Sequence, residues 1–167
     1  MAGNEIRDRR QALLDEAIEA DPDILRGQKL TRVLVLIWVV TRLFYVIVEL
    51  YFARSGFIPF SYSNLLIFLL SLFLAVLLIN GTKNLALLPL LGGAMTVING
   101  FRYQYYDALK LDLYPEERLY LLSYLAASWA QVAIMLCLLL IPVCVKYAQA
   151  AGSINKSLMN RPEGPHL

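Results

Sequence analysis

Four apolar stretches, residues 30–52, 60–79, 85–101 and 121–145, take up most of this 167-residue chain and leave it little choice of solvent. A helix rises ~1.5 Å per residue, so ~20 residues cross a ~30 Å hydrocarbon core, and each stretch is close to that length. Hydrophobic residues make up 59% of the chain and charged residues 17%. Soluble domains sit nearer ~45–50% and ~25%, so the composition also points to a bilayer. What lies outside the stretches is too short for a second globular core. The reading is one all-α integral membrane bundle of four spans. Residues 1–29 form a cytoplasmic amphipathic helix and linker, residues 30–145 the membrane domain, and residues 146–167 a polar, disordered tail.

Only the first stretch carries charge. Arg42 and Glu49 stand in it where lipid should be. A charge at the centre of a span costs roughly 2.5–3.5 kcal/mol on insertion scales, so each needs a partner or a wet cavity. At 100° per residue, Thr31, Trp38, Arg42, Tyr45, Glu49 and Phe52 fall within about 60° of one line, and the spacing from Trp38 onward is that of a helix seam. Arg42 and Glu49 are two turns apart, ~10.5 Å along the axis, too far for a simple ion pair. The expected candidate polar site is Arg42, Tyr45 and Glu49, with Asn99 in the third stretch and Gln131 in the fourth as partners on other helices. The same residues suit either a structural network or a path for an anion, a lipid headgroup or a proton.

The remaining signals concern packing and surfaces. Gly92, Thr96 and Gly100 recur every four residues, a pattern that lets two helices approach closely. The short segment from Asn80 to Asn84 reads as a tight turn that pairs spans two and three as an antiparallel hairpin. Tyr103, Tyr105, Tyr106, Tyr114 and Tyr120 cluster around the last loop and read as an interfacial aromatic belt. Residues 5–20 repeat apolar side chains at helical spacing with both charge signs on the polar face, which favours a protein contact over a lipid contact. Asp21-Pro22-Asp23 reads as the cap and first turn of a helix that continues into the first span.

Orientation follows from the basic residues. Arg26, Lys29, Arg32, Lys83, Lys146, Lys156 and Arg161 flank one side, against Arg54, Arg102, Lys110 and Arg118 on the other. That bias puts both termini in the cytoplasm.

Catalytic chemistry finds little footing. The single histidine, His166, lies at the end of the tail, which removes serine–histidine and cysteine–histidine arrangements and histidine zinc sites. No phosphate-binding glycine loop or CxxC pair is present. Cys137 and Cys144 are ~10.5 Å apart on one helix and cannot bridge. The expectation is therefore a non-catalytic protein without cofactor, metal or nucleic acid. Its partners are the lipid bilayer and either further copies of itself or other membrane subunits. A small oligomeric channel or transporter component with Arg42 in its pathway is the alternative.

Overall fold

The computed structural model describes residues 2–56, 62–106 and 115–159, with side chains described at 5–56, 62–100 and 119–159. The described residues form six α-helices: α1 (Ala2–Ala20), α2 (Pro22–Arg54), α3 (Tyr62–Ile79), α4 (Leu87–Tyr106), α5 (Pro115–Leu140) and α6 (Pro142–Met159). One 3-10 turn, Lys83–Ala86, links α3 to α4. Among the described residues there is no strand.

Among the described residues, three helices are long and apolar enough to cross a membrane: α2, α3 and the Leu119–Leu140 part of α5. The third expected span, α4, has 20 residues, but it carries Pro89, Asn99, Arg102 and Gln104, and its apolar run is correspondingly short. The outer surface agrees with an apolar surrounding. Leu36, Val40, Phe44 and Ile47 recur along the exposed side of α2, and Leu66, Leu69, Leu70 and Phe73 do the same on α3.

α2 begins where the sequence places it. Asp21 caps it, its carboxylate accepting the Asp23 N–H at 3.0 Å, and Pro22 fills the first turn, where a missing N–H costs nothing. The far end of the chain differs from expectation. The expected fourth span does not run unbroken to Val145: α5 stops at Leu140, because Pro142 has no N–H to offer Leu138 and its ring crowds that carbonyl. Nor is the segment after Lys146 a disordered tail, since α6 continues to Met159. Cys144, Tyr147, Ala148 and Ala151 form a buried stripe on it, while Lys146, Gln149, Ser153, Lys156 and Ser157 are exposed. Residues 160–167 lie outside the described residues.

α6 closes one end of the bundle. It packs along the first turns of α2, and α1 lies on both. Leu14 of α1 is buried with Ile24, Tyr147 and Ala151. Arg10 Nε donates to Asn155 Oδ1 at 2.8 Å and its Nη2 to the Asn80 carbonyl at 3.2 Å, which ties α1, α6 and the end of α3 together. The protein contact expected for the N-terminal helix is thus made within the chain. Gly27 is the point of closest approach: a Cβ there would stand 1.9 Å from the Val143 carbonyl oxygen.

Lys146 reinforces this end from the surface, 3.1 Å from Asp21 and 2.9 Å from Asp23. The Lys146 ammonium holds the Asp21 carboxyl below its ordinary 3.8, and the two carboxylates hold Lys146 above its ordinary 10.5. A depressed carboxyl contributes stability that is present above its unfolded value and lost as pH falls through the folded one. The thermal midpoint should therefore drop as pH is taken below about 3.8, and Lys146→Met should flatten that drop. The effect is small because all three groups face water. An unaltered pH profile in the variant would show that the contact is not made in solution.

The middle of the bundle is organised around α2 and α5. α3 packs on α2, α4 packs on α5, and α2 packs on α5. Val35, Trp38, Leu74, Leu78, Met135 and Leu138 share one core there. The expected α3–α4 hairpin does not form: among the described residues these two helices make no extended contact. The turn between them is tight, but Ala86 is fully buried in the α2–α3–α5 core. The connection is thereby drawn under α5 and α4 is delivered to the far side, which leaves a cleft between α3 and α4.

Candidate functional site: a cleft between α3 and α4

The cleft is about 490 Å³ in volume. Its walls are the apolar side chains of α3 and α4, among them Ile67, Leu70, Leu74, Leu88 and Met95. Its floor comes from the two central helices: Trp38 and Arg42 on α2, Tyr124 and Gln131 on α5. Asn64, Ser71, Pro89, Gly92 and Thr96 complete the lining.

Most polar groups of the lining are already bonded within the protein. Gln131, 1% exposed, accepts the Trp38 indole N–H at 3.1 Å and donates to the Pro89 carbonyl, joining α2, α5 and α4 in one buried relay. Ser71 Oγ returns to the Ile67 carbonyl at 2.8 Å, and Thr96 Oγ1 to the Gly92 carbonyl at 2.9 Å. Asn64 donates to Glu49 Oε1 at 3.0 Å. Arg42 differs. Its Nε is buried without a hydrogen-bond partner, and no ion pair reaches its guanidinium among the described residues. The titratable groups close enough to act on it are the hydroxyls of Tyr124 and Tyr45.

The expected polar site is therefore divided in two. Glu49, 1% exposed, accepts from Asn64, while Tyr45 and Tyr120 share a hydrogen bond of 3.0 Å and the Tyr45 and Tyr124 rings lie tilted at 47° with centroids 5.1 Å apart. Arg42 turns to the cleft. Of the partners expected on other helices, Gln131 is at the cleft but engages Trp38, and Asn99 is exposed on the outer face of α4. Two contributors were not singled out in the sequence, Asn64 and Tyr124. Asn64 stands at the entrance of an otherwise apolar helix, which is a readable signal for an intramembrane polar contact.

The expected packing face of α4 is also shifted. Gly100 does meet another helix, since a Cβ there would come 2.1 Å from Leu125 Cδ2. Gly92 has nothing within 4 Å of its Cβ position, and Thr96 borders the cleft beside it. The face that meets α5 is Gly93, Val97 and Gly100, all buried, with Gly93 making room for Gln131. Of the expected aromatic belt, Tyr120 belongs to the cluster on Tyr45 and Phe52. Tyr114 and the side chains of Tyr103, Tyr105 and Tyr106 lie outside the described residues.

The chain matches no known protein family, no curated protein and no solved structure. Its function is read from the cleft alone.

Proposed function

We propose that this chain is a non-catalytic membrane protein of four spans that acts as a binding component, holding a membrane-borne ligand in the cleft between α3 and α4. The observation that carries this reading is the union of open apolar walls with an unpartnered guanidinium on the floor. A partly buried charge without a partner is costly, and a ligand or water that meets it recovers part of that cost. α4 serves as the remaining span, short and packed on α5. Both termini are cytoplasmic in this reading, supported by the bias of lysine and arginine. Labelling of a cysteine at position 4 from outside intact cells would overturn that orientation.

The cleft reading is tested by what purifies with the protein. Gly92 points into open space, so Gly92→Phe fills the cleft without disturbing a packed neighbour. Mass spectrometry of the wild type in detergent should find a retained amphiphile that the variant lacks, at equal thermal stability. Equal content in both proteins would reject the cleft as the binding place.

A second reading keeps one observation in its favour, the position of Arg42 in an opening rather than in a packed seam. If two or more copies set their clefts face to face, the guanidinium groups would line a shared path for an anion. One copy cannot form such a path, because Trp38 and Gln131 close the floor. Particle mass in nanodiscs separates the two readings.

A further inference from the structure

The geometry points to a long-chain carboxylate, a single acyl chain ending in an ionisable acid, as the occupant of the cleft; this inference rests on the cleft being a ligand pocket. Three properties of the site select it.

The first is size. The cleft holds about 490 Å³, within the ~300–1,000 Å³ of ordinary small-molecule pockets. A transmembrane helix of ~10 Å diameter and ~30 Å length displaces on the order of 2,000 Å³, several times more. One acyl chain matches the space between α3 and α4, and another protein's helix does not.

The second is sign. The guanidinium presents donors in a fork suited to a planar carboxylate, and its Nε has no partner inside the protein. The Tyr124 hydroxyl stands beside it as a further donor. Glu49, the acid on the same helix, is engaged with Asn64, so the cleft floor carries one positive charge with no acid turned to it.

The third is depth. Arg42 lies ~18 Å along the axis from Leu30 and ~15 Å from Phe52, close to the middle of a ~30 Å core. A phosphodiester headgroup keeps its charge at any physiological pH and would have to drag it to that depth. A carboxylic acid reaches the same place neutral, and its ionised form is then favoured by the guanidinium, with the proton passing to water. The apolar walls along Ile67, Leu70 and Leu74 receive the chain while the acid rests on the floor.

The test uses the full chain in nanodiscs of zwitterionic phosphatidylcholine, titrated with the fluorescent fatty acid cis-parinaric acid. Binding should saturate at one per chain and be displaced by oleate but not by 1-octadecanol, which has the same shape without the charge. Arg42→Gln should weaken binding by about ten-fold or more, and Arg42→Lys by less, since the charge remains and the fork is lost. Gly92→Phe should abolish binding while the protein stays folded, which keeps the test sound if Arg42→Gln proves unstable. Octadecanol competing as well as oleate, or Arg42→Gln binding like the wild type, overturns the inference. Displacement by phosphatidylglycerol in the disc with no response to oleate also overturns it and assigns the site to a phospholipid. If Gly92→Phe strips a co-purifying amphiphile and yet parinaric acid does not bind, the carboxylate inference fails while the pocket stands. If nothing binds and the particle mass corresponds to two copies, both fail.

Discussion

Gly27→Val should be among the most damaging single changes in the protein, lowering stability by about 1–3 kcal/mol or more through overpacking. The Cβ position lies 1.9 Å from the Val143 carbonyl oxygen and 2.9 Å from Tyr147 Cβ. The first of these is a backbone atom and cannot rotate aside, so α2 and α6 must separate. That separation uncovers Tyr147 and the Leu14 cluster beneath α1. Thermal unfolding in nanodiscs measures the loss, and protease cleavage within α6 should appear before the membrane helices melt. Gly92→Ala is the control: with open space around it, the variant should be unchanged or gain up to ~1 kcal/mol from helix propensity. A Gly27→Val protein as stable as the wild type would mean that α6 is not seated on α2.

Gln131→Leu should cost about 1–3 kcal/mol, because it strands a buried indole N–H as well as removing a bond to α4. Gln131 bonds α2 through Trp38 and α4 through the Pro89 carbonyl. The double variant with Trp38→Phe should cost less than the two singles combined, since no buried donor then remains without an acceptor. Circular dichroism melts of the four proteins complete the cycle. Strict additivity would show that the Trp38–Gln131 bond contributes nothing in the membrane.

What the sequence revealed depended on whether one helix contained the answer. The seam of α2 could be read from spacing alone, and Thr31, Trp38, Tyr45, Glu49 and Phe52 are all buried. The cap at Asp21 was readable for the same reason, being set by three neighbouring residues. Partners across helices were not readable. Asn99 and Gln131 are both polar residues in apolar runs, yet one faces outward and the other is 1% exposed, a difference made by how α4 rests on α5. The four-residue glycine pattern failed on helical geometry. Gly92 and Gly100 stand about 80° apart around the axis, whereas Gly93 and Gly100 are within about 20° and can meet one neighbour together. The cleft itself had no local signal, because it exists only where the buried Ala86 turn draws α4 away from α3.

The clasp of α6 over the start of α2 also bears on how the protein is made. Leu14 and Gly27 find their cover on a helix that begins at Pro142. The chain between Arg54 and Pro142 takes on the order of ten seconds to synthesise at ~5–20 residues per second. Throughout that interval the apolar stripe of α1 has only the start of α2 to rest on and lacks its Tyr147 and Ala151 cover. α6 therefore completes the end of the bundle that α1 and α2 begin, and a ribosome that stalls before Pro142 leaves those two helices without that cover.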